Sequence, residues 1–159
     1  MKSRFWRVLG RGVWSIAATW FVYMFTASGV RKLTDSSAFA ASLRRFEVVP
    51  EEMVRPISLW IPILECLLGG LLAVSLVWTR LTAIAASACV GILLGFAAFL
   101  LCVAILSDAE LPCGCLGKES PETVVQGAVR NVLLSIVLML AGLAAWNARE
   151  AAATASAQG

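Results

Sequence analysis

The chain has 159 residues, 60% of them apolar and 14% charged, with a formal net charge of +3 and no histidine. A soluble domain of this size has too much surface to cover with so few charges, so the composition excludes a soluble globular class. The missing histidine removes the commonest metal ligand, the usual haem ligand and the usual base at neutral pH.

Four apolar runs approach or exceed the roughly 20 residues that cross a bilayer. They cover residues 13–30, 57–78, 81–106 and 129–147. Backbone polar groups in hydrocarbon have to be satisfied within their own segment, so each run is expected to be a helix. The fold class is therefore all-α, an integral membrane four-helix bundle. It forms one domain over 1–150, followed by a flexible tail at 151–159. Its solvent is the lipid bilayer, and no nucleic-acid partner is expected.

The first run follows Lys2, Arg4, Arg7 and Arg11. It has the outline of a secretory signal, but it is long for one and rich in Trp, Tyr and Phe. By the positive-inside tendency the N-terminus is cytoplasmic, and four crossings return the C-terminus to the same side. The loops 31–56 and 107–128 then face outward. Arg31, Lys32, Arg44, Arg45, Arg55 and Lys118 in those loops oppose this orientation. The acidic character of the second outer loop (Asp108, Glu110, Glu119, Glu122) favours it. Trp14, Trp60, Trp78 and Trp146 lie near the ends of the runs, as interfacial tryptophans do.

Asp35 or Ser36 can cap a short helix in the first outer loop. Phe39, Leu43 and Phe46 follow at i, i+4 and i+7, opposite Arg44 and Arg45. This spacing predicts an amphipathic helix, lying on the membrane surface or packed as a lid over the bundle. In the second run, Pro62 can kink the helix, and Glu65 is an ionisable group at membrane depth. Such a group is expected to be functional or paired, with Arg31 and Lys32 within reach. Only Thr79 and Arg80 separate the second run from the third, so those helices are expected to be antiparallel neighbours. Gly91 and Gly95 in the third run are spaced for close helix packing.

The chemistry falls to cysteines. Cys113 and Cys115 flank one glycine in the stretch LPCGCLG. Facing an oxidising compartment, such a pair closes into a small, strained and labile disulfide, suited to exchange. A helix starting at Ser120–Pro121 and Lys118 favour a thiolate, while Glu119 and Glu122 oppose it. Cys66 and Cys102 are candidate resolving thiols, and Cys89 reads as packing. The rival reading makes Cys113 and Cys115 thiolate ligands to a soft ion such as Cu(I). A third makes the chain a non-catalytic assembly subunit. No cofactor is required, and although a quinone is compatible with thiol chemistry, nothing in the sequence supports one.

The stretches ASGVRKLTDSSAFAASLRRFEVVP (27–50), IPILECLLGGLL (61–72) and PCGCLG (112–117) resemble the DoxX-like membrane proteins, and most closely the methylamine-utilisation MauE family. The resemblance spans about residues 15–147. The matching positions are Gly29, Lys32, Leu33, Phe39 and Pro50, then Pro62 and Glu65, then Cys113, Cys115 and Gly117. Leu116 stands where the family pattern has Phe. The resemblance implies a bacterial inner-membrane protein tied to thiol redox chemistry outside the cytoplasm. It implies maturation of a disulfide-containing client, as for methylamine dehydrogenase, alongside a periplasmic thioredoxin-like partner. A thiol-disulfide oxidoreductase activity at Cys113 and Cys115, with Cys66, Cys102 and Glu65 as accessory candidates, is the resulting expectation.

Overall fold

A computed structural model describes residues 2–45, 48–106 and 123–157, and every element in them is helical. The order is α1 (Lys2–Thr34), α2 (Ser36–Arg44), α3 (Glu51–Val77), a 3-10 turn (Thr79–Leu81), α4 (Thr82–Leu106) and α5 (Val124–Ala157). Apolar spans of 27 or 28 residues run along α1, along α3, along α4 together with the 3-10 turn before it, and along α5, each long enough to cross a membrane. Their outward faces stay apolar: Ile16, Val77, Leu67 and Ile105 are all exposed. A water-facing surface of this kind is a liability, whereas in a bilayer it is the solvated surface.

The helices extend past the apolar runs. α1 starts at Lys2 rather than near 13, and α5 runs through Ala157 rather than ending near 147. The alanine-rich end AREAAATASA explains the second extension, since alanine is the strongest helix former. α3 begins at Glu51 after Pro50, with Glu51 and Glu52 in its first turn, where the helix dipole favours carboxylates. Pro56 and Pro62 both lie inside the continuous α3.

The bundle runs α3–α1–α5–α4 in space. α1 packs along α3 and α5, and α4 packs along α5. α3 and α4 meet over a much shorter stretch, despite the tight turn that joins them. The two are antiparallel neighbours, as the short link leads one to expect, but their contact is limited because the closest glycine contacts lie elsewhere. A Cβ on Gly29 would lie 2.6 Å from Cys66 Sγ, one on Gly69 2.7 Å from Thr26 Oγ1, and one on Gly10 2.6 Å from the Ala144 carbonyl oxygen. These glycines draw α1 against α3 and α5. A Cβ on Gly91 or Gly95 would meet nothing within 4 Å, so that pair packs against no helix among the described residues.

The main core joins Phe21, Leu72, Cys89 and Leu138 with Trp14, which is 4% exposed. Trp14 is thus a core residue and not an interfacial one, while Trp60, Trp78 and Trp146 are exposed as expected. Buried hydroxyls turn back on their own helices: Ser75 Oγ donates to the Leu72 carbonyl and Ser135 Oγ to that of Val132, both at 2.7 Å.

A second cluster sits at one end of the bundle, where Leu43, Val54, Leu100, Val103, Val124 and Ala128 meet. α2 lies here. Asp35 caps it by accepting from the Ala38 N–H at 3.1 Å, and Leu43 is buried. Arg44 Nε donates to Glu51 Oε1 at 2.8 Å across to α3. α2 therefore packs on the bundle as a lid, with Arg44 and Arg45 outward. At the other end, Arg149 Nη1 donates to the Thr79 carbonyl at 2.7 Å, and Gly10 meets Ala144. The early part of α1, the 3-10 turn and the later part of α5 thus share one end.

Candidate functional site

Polar residues of separate helices converge below the α2 lid. Gly29 lets α1 touch α3 at Cys66 and Pro62. Lys32 follows three residues later on the same helix face, which brings it to Glu65, beside Cys66. The Lys32 ammonium donates to Glu65 Oε1, and the two residues are 6% and 8% exposed. Lys32 Nζ also lies 5.2 Å from the ring centroid of Phe39 and 6.0 Å from that of Phe96. A buried ion pair recovers its desolvation cost only with good geometry and further partners, and the two aromatic faces supply part of that.

The pair borders a cavity of about 70 Å³. Ser28 of α1, Phe96 of α4, and Arg130 and Asn131 of α5 line it as well. Roughly 10–15 Å³ of such space holds one water, so the cavity has room for a small polar group. Asn131 is 7% exposed. Glu65 Oε2 is buried and has no hydrogen-bond partner among the described residues. An open acceptor on a buried carboxylate is costly unless something donates to it.

The expected site residues are only partly brought together. Glu65 and Lys32 meet. Arg31 is exposed and turns away. Cys66 is half-buried at the α1–α3 contact, where Gly29 makes room for its sulfur. Cys102 is exposed near the end of α4, and Cys89 is fully buried in the core. All three are free thiols. Cys113 and Cys115 lie outside the described residues. Among the described residues no group of three or more metal-ligating side chains gathers.

Sequence reading passed over Ser28, Phe96 and Asn131. The signal for Asn131 is there: an Arg–Asn pair interrupts the start of the apolar run at 129–147 and lies two turns inside the helix that begins at Val124.

A second, larger space opens where α3 and α4 part. It measures about 530 Å³ and is lined by apolar side chains of α2, α3 and α4. Gly91 and Gly95 form part of its floor, and Trp60 lies on its wall. Ile92 and Phe96 line both this groove and the polar cavity.

The family model described as "Methylamine utilisation protein MauE" matches residues 11–147. The methylamine utilization protein MauE of Paracoccus denitrificans is 30% identical over 118 residues, which cover 73% of this chain and 61% of that protein. The chain thus spans about three-fifths of the length of the curated relative. No solved structure matches. With its four apolar membrane-length helices and a match over most of its length, this chain belongs to the MauE family of methylamine utilisation proteins.

Proposed function

We propose that this membrane protein takes part in methylamine utilisation as a thiol–disulfide relay working through Cys113 and Cys115. The observation that carries the reading is the Cys-Gly-Cys in the segment joining two membrane-length helices of a MauE-family chain. In one direction, a thiolate of the pair attacks a disulfide of the partner. A mixed disulfide forms and one partner thiolate leaves. The neighbouring thiolate then attacks the mixed disulfide, closing Cys113–Cys115 and releasing the second partner thiolate. The partner gains two electrons and the pair loses two. The reverse sequence hands an oxidising equivalent to the partner. A periplasmic thioredoxin-like protein, or a disulfide-containing client such as methylamine dehydrogenase, fits this chemistry. Cytoplasmic termini and an outward Cys-Gly-Cys segment complete the reading.

The test is thiol accessibility in intact cells with a membrane-impermeant maleimide, in a background lacking Cys66, Cys89 and Cys102. Labelling of Cys113 and Cys115 only after a reductant is the expected result. Labelling without reductant would place free thiols outside and favour soft-metal capture or a reduced resting state. Labelling only after lysis would place the segment in the cytoplasm and remove the relay.

A further inference from the structure

A third space, a trough between α4 and α5, shares no lining residue with the polar cavity. It measures about 480 Å³, within the roughly 300–1,000 Å³ usual for a small-molecule pocket. Ala83, Ala86 and Ser87 of α4 and Gly142, Leu143 and Trp146 of α5 line it. Its floor is low because Gly142 carries no side chain, and a Cβ there would stand 3.1 Å from that of Ala86. Leu143 and Trp146 are exposed along its edge, so it opens toward the hydrocarbon. The lining runs along α4 from Ala83 to Gly91, a rise of about 12 Å at 1.5 Å per residue.

The mouth of the trough is cationic. Arg80 stands three residues before Ala83, and Arg149 three residues after Trp146. Arg149 Nη1 donates to the Thr79 carbonyl at 2.7 Å, which holds the guanidinium against the peptide leading into Arg80. Arg80 is exposed, and neither arginine has a carboxylate partner among the described residues. In sequence, this end of the bundle also takes in Lys2, Arg4, Arg7 and Arg11 against a single acidic side chain, Glu150. Trp78 and Trp146 are exposed at the same level, as interfacial tryptophans are, so the mouth lies at the depth of lipid headgroups.

A free phosphate would answer the two guanidiniums and leave the trough unfilled. An uncharged tail would fill the trough and leave the guanidiniums without an anion. One molecule does both if it joins a phosphodiester to an acyl chain. We propose that the site binds an anionic phospholipid, with its phosphate at Arg80 and Arg149 and one acyl chain between α4 and α5. The planar fork of arginine matches phosphate oxygens in pairs. A zwitterionic headgroup brings its own ammonium beside the phosphate and gains less from the same two charges. The bound chain fills the space that Gly142, Ala83 and Ala86 leave between the helices, and the bound phosphate bridges the 3-10 turn to α5, as Arg149 already does. The proposal uses no residue of the thiol reading.

The experiment uses the full chain in detergent, exposed to equal amounts of phosphatidylglycerol and phosphatidylethanolamine. Lipid retained after washing is counted by mass spectrometry. Retention near one phosphatidylglycerol per chain is expected, with a preference of about tenfold or more over phosphatidylethanolamine. Arg80→Gln and Arg149→Gln should each cut that preference about fivefold, the factor that about 1 kcal/mol per arginine corresponds to, and together they should abolish it. Ser87→Phe puts a ring into the trough from an exposed position and should lower total retention about tenfold at an unchanged thermal midpoint. Arg55→Gln removes the same charge beside Val54 at the other end of the bundle and should bind as wild type. Equal retention of the two lipids would overturn the proposal, and so would a loss of preference in Arg55→Gln as large as in Arg80→Gln. Unchanged retention in Ser87→Phe would take the lipid out of the trough and overturn it as well. A chain that runs as a dimer and turns monomeric in Ser87→Phe would give the trough to a second copy instead.

Discussion

At the residue scale, the Lys32–Glu65 pair has the largest energetic consequence. Removing one partner strands the other charge inside the bundle. Glu65→Ala should therefore destabilise by about 3–5 kcal/mol, read as a drop in thermal or denaturant midpoint of the detergent-solubilised chain. Replacing both residues by apolar ones of similar volume should cost far less. The exposed Arg44–Glu51 pair is the control, with Glu51→Ala costing about 1 kcal/mol or less. Glycines divide in the same way. Gly29→Ala drives a Cβ into Cys66 Sγ and the Pro62 carbonyl and should cost about 1–3 kcal/mol, whereas Gly91→Ala, whose Cβ meets nothing within 4 Å, should not lower the midpoint. Glu65 was legible because an acid in an apolar run is conspicuous. The choice of Lys32 over Arg31 was not. It depends on which side of α1 meets α3, and Gly29 decides that by allowing contact.

At the element scale, α2 was legible from its cap and its i, i+4, i+7 apolar positions. Sequence left open whether it floats on the membrane or closes the bundle. Burial of Leu43 beside Val54 and Leu100 shows that it packs. Leu43→Ala should accordingly cost about 2–5 kcal/mol, and Asp35→Ala about 1 kcal/mol through the lost cap. A freely floating helix would show neither effect, and limited proteolysis between α2 and α3 would report the loosening. Apolar runs marked where the membrane-spanning helices lie and missed where they end. Helices continue past hydrocarbon wherever propensity permits, as the alanines after Glu150 do, and hydropathy does not register that continuation.

At the scale of the whole molecule, four apolar spans and the Arg149–Thr79 contact put the early part of α1 and the later part of α5 at one end. A fluorescent protein that folds only in the cytoplasm, fused in turn to each terminus, should therefore glow on both or on neither. The proposed orientation requires both. Hydropathy found the helices but carried no information about which pairs pack most closely. Short turns join neighbours in the chain, yet in a bilayer no hydrophobic force pulls apolar helices together. Small residues and hydrogen bonds do so instead. Gly10, Gly29, Gly69 and Gly142 favour the α3–α1–α5–α4 order and leave α3 and α4 in limited contact.

The sequence by itself determined the membrane class, the number of crossings, the Cys-Gly-Cys pair and the presence of a buried acid, because each is written in composition or local spacing. Tertiary structure alone decided that Lys32 partners Glu65, that Asn131 and Phe96 join them around one cavity, and that Gly91 and Gly95 line a groove rather than a helix contact. Those facts depend on which helix faces meet, and every face of α4 is nearly equally apolar, so its pattern carries no instruction about where it turns.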